Sequence, residues 1–448
     1  MSDSQPALNF PLLSKKPVVV DFSGGSLSSD GGLLLLAHLD RTLGLTQAVA
    51  DGCHDPRRQN SVQHSLLDLI RQRVYQIAAG YEDANDGNAL RVDPALKLAC
   101  GRAPLSGADL ASQPTLSRLE ATIAEDACDR ANDVLLAQFL DAARPRPRTV
   151  TLDIDTSEHQ THGQQELAFY NGFYGSTCYL PRFLFASVPG ERDQYLVRAE
   201  LPDHQDEQTE AILESMESVV DTLRKRWPGV SVQLRADAGF ADPELYTWLE
   251  AHHVAYAIGM ATNAVLSRLA KPLCERARKA AAASPTGKAT LYGRVWYQAE
   301  SWEKRRRVVV KVTVTPAGQK VRFLVVFGLG RWPKEIYGFY GGRGDSENRI
   351  KELKEGVHSD RMSCETFASN KVRLMLASVA YVLMQGLRRL SGRTEWSRGQ
   401  VGRLRECLIK IGARVMESGR RVKVELSSSY PWEAGFRFLA GRVALGRP

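Results

Sequence analysis

The run Thr149-Val-Thr-Leu-Asp153-Ile-Asp155 decides how this chain is to be read. Thr, Val and Ile favour a strand. In a strand the alternation puts Leu152 and Ile154 on one face and Asp153 and Asp155 on the other. Two carboxylates on one face of a central strand repel unless a cation or a proton intervenes. Thr156 and Ser157 follow at the strand's end, where a site would open. Downstream, residues 168–174, 178–185 and 194–199 read as further strands, 209–226 as an amphipathic helix and 230–235 as a strand ending in Ala236-Asp237-Ala-Gly-Phe240. A helix over 243–251 and a strand over 254–258 complete an α/β order.

On the N-terminal side, 17–22 reads as a short strand, and 31–40, 60–79, 82–99 and 126–143 carry helical spacing. Ala142-Ala-Arg-Pro-Arg-Pro-Arg148 reads as a stiff linker. On the C-terminal side, 262–280 is a helix, and 290–298, 307–315 and 321–327 are strands of a β insertion. Helices follow over 346–357 and 367–389, then a basic tail with a helix near 399–411, a strand over 421–426 and a short final helix. The expected domains are an N-terminal helical one (1–145), the first part of the core (146–261), the insertion (262–338), the second part of the core (339–392) and a basic C-terminal region (393–448).

Charge divides along the same lines. Residues 1–145 hold 13 basic against 18 acidic side chains and residues 146–260 hold 9 against 18, whereas 261–448 hold 37 against 15. An acidic middle suits cations, and a segment of net +22 suits a polyanion. Seven scattered cysteines, none at C-x-x-C spacing, point to a reducing cytoplasm and away from a thiolate zinc site. No apolar run reaches membrane-spanning length, and the N-terminus shows no signal-peptide pattern.

A third carboxylate comes from Tyr340-Gly-Gly-Arg343-Gly-Asp-Ser-Glu347-Asn-Arg-Ile-Lys-Glu-Leu-Lys354. Asp345 or Ser346 could cap a helix here, with Tyr340 and Arg343 on the loop before it. Glu347 then falls in the first turn, and Lys354 lies nearly two turns on, along the same face. A surface helix with a charged face explains Glu347 and Lys354 alone; Asp237 alone could cap the next helix. Together, carboxylates from two strands and a helix can bridge two Mg²⁺ ions, with Mn²⁺ able to substitute. The first ligand is Asp155 or Asp153.

This trio, with Tyr340-x2-Arg343-x3-Glu347-x6-Lys354, resembles the DDE transposases of bacterial insertion sequences. The Tyr-Arg-Glu-Lys spacing is the signature of their insertion-sequence-four superfamily. Gly80-Tyr-Glu-Asp-Ala-Asn-Asp86, Ser112-Gln-Pro-Thr-Leu-Ser-Arg-Leu-Glu120, Thr161-His-Gly-Gln-Gln-Glu166 and Tyr170-Asn-Gly-Phe-Tyr-Gly175 look like one branch, the insertion sequence thirteen-eighty family. The resemblance implies a ribonuclease-H-like core interrupted by the β insertion, and catalysis by Asp155, Asp237 and Glu347. It implies cleavage at element ends, attack of the freed 3′-hydroxyl on the opposite strand to form a hairpin, and joining to target DNA. Its partners would be double-stranded DNA, both terminal inverted repeats and target, held by a homodimer on paired ends. Tyr340, Arg343 and Lys354 would hold phosphates. His162, Gln164, Lys304, Arg305 and Arg306 are further DNA-binding candidates, and Trp296, Trp302 and Trp332 are candidates for stacking a flipped base. Two other readings stay open: a non-catalytic DNA-binding regulator derived from such an enzyme, and a general nuclease of the same fold.

Overall fold

The computed structural model describes residues 8–9, 16, 18–203, 208–392 and 394–444. Its chain forms two compact units. One holds the described residues up to Ala50, Asp55–Leu119 and those from Leu383 on; the other holds Asp51–His54 and Glu120–Val382.

The second unit is built on one mixed eight-stranded sheet. Its elements run α1 (Asp126–Ala142), β1 (Thr149–Thr156), β2 (His159–Gln160), β3 (Phe169–Asn171), β4 (Ser176–Tyr179), β5 (Arg182–Ser187), β6 (Tyr195–Glu200), α2 (Gln208–Arg226), β7 (Ser231–Ala236), α3 (Pro243–Ala251), β8 (Ala255–Met260), α4 (Ala264–Ala282), β9 (Ala289–Tyr297), β10 (Arg306–Thr315), β11 (Gly318–Phe327), α5 (Pro333–Gly341), α6 (Gly344–Val357) and α7 (Phe367–Leu390). The strand order is β9-β10-β11-β8-β7-β1-β5-β6. β7 runs parallel to both β1 and β8, and the other neighbours are antiparallel. The surplus strands of the early run, β2, β3 and β4, form a small sheet of their own in the order β2-β4-β3.

Alternation along β1 works as the sequence predicts. Val150, Leu152 and Ile154 enter the main core with Leu234 of β7, Leu223 of α2 and Leu249 of α3. The opposite face carries Asp153 and Asp155. Farther along the sheet that second face is covered by α5, whose Ile336 and Tyr337 pack on Ala257, Val309, Leu324 and Val326.

Two expected boundaries fall elsewhere. α1 was expected within a domain ending at 145, but its Leu136, Phe139 and Leu140 are buried in the same core as β1. Strands β9–β11 do not stand apart as an insertion domain. β11 pairs antiparallel with β8, and Val308, Val310 and Phe323 share the core with Leu152. Continuing the sheet satisfies the open edge of β8, which would otherwise leave its backbone groups unpaired.

In the first unit the helices expected over 31–40 and 60–79 lie at Leu33–Leu43 and Leu66–Ala79, whereas the one expected over 82–99 is broken into Ala84–Asp86, Gly87–Leu90 and Pro94–Ala99. Of the strand expected over 17–22, Val19–Val20 forms and position 17 lies outside the described residues. The tail does not make a domain of its own. Its hairpin, Ala413–Ser418 with Arg421–Leu426, pairs with Leu27–Ser28. Arg405 Nε donates to Ala78 O at 2.9 Å. Among the described residues no helix is long and apolar enough to cross a membrane.

Candidate active site

Asp155 lies at the C-terminal end of β1, buried, with its neighbour Asp153 two residues deeper on the same face. Their surroundings differ. β7 pairs with β1 so that Arg235 stands opposite Asp153. Arg235 Nε and Nη2 each reach an Asp153 oxygen at 2.6 Å, and Gln194 Nε2 adds a third bond at 2.9 Å. Asp153 is therefore saturated by fixed partners. Arg235 also donates to Phe339 O at 2.8 Å, tying β7 to α5. Gly342 makes that approach possible, since a Cβ there would lie 2.1 Å from Arg235 Nη1.

Asp155 faces a long side chain from another element. Arg343 Nη1 donates to Asp155 Oδ2 at 2.7 Å, and its Nη2 donates to Glu347 Oε1. Burial raises the Asp155 carboxyl from 3.8 to about 6; Arg343 opposes the rise, and the negative charges of Asp237 and Glu347 add to it. Asp237 follows β7 and caps the short turn Ala238–Phe240, with Gly239 N donating to its Oδ1 at 2.8 Å. Asp242, not Asp237, caps α3, through bonds from Glu244 N and Leu245 N. The three carboxylates thus converge on one place, with the Arg343 guanidinium among them.

The Tyr340–Lys354 segment departs from the expected loop and cap. Tyr340 lies within α5, and Arg343 has helical backbone angles (φ −60°, ψ −29°) directly before α6. No side chain caps α6, which starts at Gly344, ahead of Asp345 and Ser346. Tyr340 is half-buried, and burial raises its hydroxyl above the ordinary tyrosine value. Gly259 on β8 leaves room for that hydroxyl, since a Cβ there would lie 3.1 Å from it. Lys354 Nζ donates to Glu158 O at 2.7 Å, next to the end of β1. A groove of about 470 Å³ beside these groups is lined by Met260, Lys311, Arg322, Tyr340, Arg343 and Glu347. Lys311 and Arg322 on β10 and β11 add positive charge that the sequence reading did not single out.

Other candidates scatter. His162 and Gln164 are exposed between β2 and β3, while Gln165 braces that turn by bonding Gly163 N and Met362 O. Glu166 accepts from Phe367 N at 2.8 Å, at the start of α7. Lys304 is exposed but pairs with Glu250 at 2.8 Å, and with Arg305, Arg294 and Trp296 it lines a separate pocket. Arg306 is corrected as a DNA contact: it is buried, its Nε bonds Glu250 Oε1 at 2.7 Å, and it is unavailable to a phosphate. Trp302 is corrected as a stacking platform, because it is buried edge-on against Tyr246 and Tyr297. Trp296 and Trp332 are exposed, Trp332 immediately before α5.

Among the described residues no group of three or more His, Cys, Asp and Glu side chains could hold a metal ion as it stands. At this site the reason is visible: Arg343 sits between Asp155 and Glu347. The donor set nonetheless fits a hard divalent ion, being all carboxylate oxygen; burial raises Asp155, and the charges of Asp237 and Glu347 add to that rise. The guanidinium stands in for that cation.

No curated protein matches the chain. A family model described as transposase DDE domain group 1 matches residues 10–447, nearly the whole length. By that match the chain belongs to the DDE transposase domain family.

Proposed function

We propose that this protein is a cut-and-paste transposase of the insertion sequence thirteen-eighty family, with the Tyr-Arg-Glu-Lys signature at Tyr340, Arg343, Glu347 and Lys354. It cleaves DNA at the element's terminal inverted repeats and joins the freed ends to target DNA, through hairpin ends, as a homodimer on paired ends. The observation that carries this reading is that Arg343 bonds both Asp155 and Glu347 beside a groove that Arg343 and Glu347 line, with the charges of Asp237 and Glu347 bearing on Asp155. The ribonuclease-H-like core is supported by strand order. β1, β5 and β6 run antiparallel in sequence, and β7 and β8 continue from the other side of β1, parallel to it.

Asp155, Asp237 and Glu347 would hold two Mg²⁺ or Mn²⁺ ions. Such ions, when bound, stabilise the attacking and leaving oxygens of an in-line displacement at phosphorus. Arg343 is a bidentate donor suited to phosphate oxygens. It pairs with carboxylates in this structure and would turn to a DNA phosphate when the carboxylates take metal. Lys354 donates to Glu158 O, two residues past β1. The half-buried Tyr340 ring, with Arg343 Cζ 5.9 Å from its centre, limits where that guanidinium can go. Lys304 and Arg305 lie on β10's approach and would meet DNA away from the cut.

The experiment uses DNA flanking the gene. Wild type with Mg²⁺ should cut at inverted repeats, and Glu347→Ala should bind the same DNA without cutting. If wild type and Glu347→Ala bind alike and neither cuts, the protein is a regulator. Cutting of DNA without the repeats, with no hairpin or joined product, would identify a general nuclease instead.

A further inference from the structure

The groove that Arg343 and Glu347 line is also lined by Lys311 and Arg322, two cations to which no role has yet fallen. Their place follows from the sheet. β7 runs parallel to both β1 and β8, so the C-terminal ends of the three strands lie together. Asp155 and Asp237 stand at two of those ends. Gly259 of β8 lies against them, since a Cβ there would be 3.1 Å from the Asp237 carbonyl carbon. Gly259 pairs with Leu324 of β11, and Leu324 pairs with Val309 of β10. Leu324 and Val309 pack with Ile336 and Tyr337 of α5, on the carboxylate face. Arg322 and Lys311 are two residues from them, hence on that same face and past the end of β8. From the end of β7, Arg322 is two strands across, about 10 Å, and one same-face step outward, about 7 Å.

Lys311 and Arg322 are direct cross-strand partners. Like charges directly opposite one another destabilise a sheet. Among the described residues neither side chain forms an ion pair that would offset this. Both are nevertheless held in place. Lys311 is half-buried, with its Nζ 5.8 Å from the ring centres of Tyr292 and Tyr337. The Tyr337 hydroxyl donates to Arg322 O at 2.6 Å, which fixes the backbone from which the exposed Arg322 side chain springs. Aromatic faces hold an ammonium without neutralising it, and a guanidinium free of carboxylates keeps all its donors. Two cations set side by side over a groove, with no anion of the protein's own, suit a phosphate.

We propose that Lys311 and Arg322 form a second phosphate clamp, which grips the DNA backbone about two to four nucleotides from the cut, at about 3.4 Å of rise per nucleotide. The proposal rests on the DNA-cutting reading above and names side chains that position the strand for it. With Arg343 at the carboxylates and this pair farther out along the groove, one strand is held at two points. Two points fix the direction in which the backbone crosses Asp155 and Asp237, which a single clamp leaves free.

The test measures binding of a duplex from the DNA flanking the gene, by fluorescence anisotropy in EDTA so that nothing is cut. In a plot of log affinity against log salt, Lys311→Gln with Arg322→Gln should have a slope shallower than wild type's by about 2, one for each lost contact. Duplexes that each carry one neutral methylphosphonate then place the contact. Wild type should lose affinity when the neutral group stands about two to four nucleotides from the cut, and the double variant should be indifferent to it there. Lys304→Gln with Arg305→Gln, in the other pocket, should keep that sensitivity. Arg322 is exposed, so Arg322→Gln alone, with a slope change of about 1, replaces the double variant if that one melts early. The proposal is overturned if the variant keeps the wild-type slope, or if it responds to the same methylphosphonates as wild type. Either result leaves the DNA reading standing. Failure of wild type to bind any of the duplexes overturns the DNA reading with it.

Discussion

Asp153→Asn and Asp155→Asn should move stability in opposite directions, although the two residues share one strand face. Both Asp153 oxygens accept from Arg235 at 2.6 Å inside the fold. An amide cannot answer a bidentate guanidinium, so Asp153→Asn leaves a buried, uncompensated Arg235. Breaking such a pair from one side costs about 3–5 kcal/mol. At about 2–4 °C per kcal/mol for a domain of 150–250 residues, the melting temperature should fall by about 6–20 °C. Burial raises both carboxyls; but Asp153 is held at both oxygens by a buried Arg235, whereas Asp155, raised from 3.8 to about 6, takes one bond from Arg343, which keeps Glu347 as a partner. Between those values the folded protein keeps a proton that the unfolded chain has released. Stability therefore falls as pH rises from about 4 to about 6, and the loss is complete above that window. The rise corresponds to at most about 3 kcal/mol. Asn carries no charge, so Asp155→Asn should melt several degrees above wild type at neutral pH and level with it near pH 4. Differential scanning calorimetry in EDTA reads both variants. The reasoning is refuted if Asp155→Asn melts as far below wild type as Asp153→Asn does.

Three further outcomes follow from contacts away from the carboxylates. Trp302→Ala should destabilise by about 3–5 kcal/mol in urea unfolding, because the ring fills core against Tyr246 and Tyr297. Burial pushes the Glu250 carboxyl up, but bonds from Arg306, Lys304 and Tyr256 outweigh it and hold it below its ordinary value. Glu250→Gln should therefore cost about 3–5 kcal/mol at neutral pH, and the gap to wild type should narrow as pH falls below Glu250's ordinary 4.5, as chemical denaturation across pH will show. Gly342→Ala should lower the melting temperature, because its methyl displaces Arg235 from Phe339 O.

Much of this arrangement was legible in the residues themselves. Alternation in 149–155 fixed which side chains of β1 enter the core, because period two is a local property of a strand. Asp237 and Glu347 could be singled out from a strand end and a helix start. What the residues could not show is which partner each charge meets. Arg235 reads as an ordinary strand residue until the β1–β7 register sets it opposite Asp153. Arg306 reads as one of three solvated arginines until Glu250 of α3 is brought to it. Trp302 looked as available as Trp296 because exposure is a tertiary property. Residues 168–174 read as one strand, but the strand ends at Asn171 and the chain turns back at Gly175 to pair with Ser176–Tyr179. The strand 413–418 was missed although its main partner is its own neighbour 421–426; only its outer edge meets a distant segment, Leu27–Ser28.

Cleavage of the gene's flanking DNA by wild type, Asp155→Asn, Asp237→Asn and Glu347→Gln, with and without Mg²⁺, tests the central claim most directly. If Asp155, Asp237 and Glu347 form one metal-dependent site, wild type cuts only with Mg²⁺. Each variant then fails to cut while binding the DNA as tightly as wild type does. Full cleavage by any one of the three variants, or by wild type in EDTA, would contradict the account.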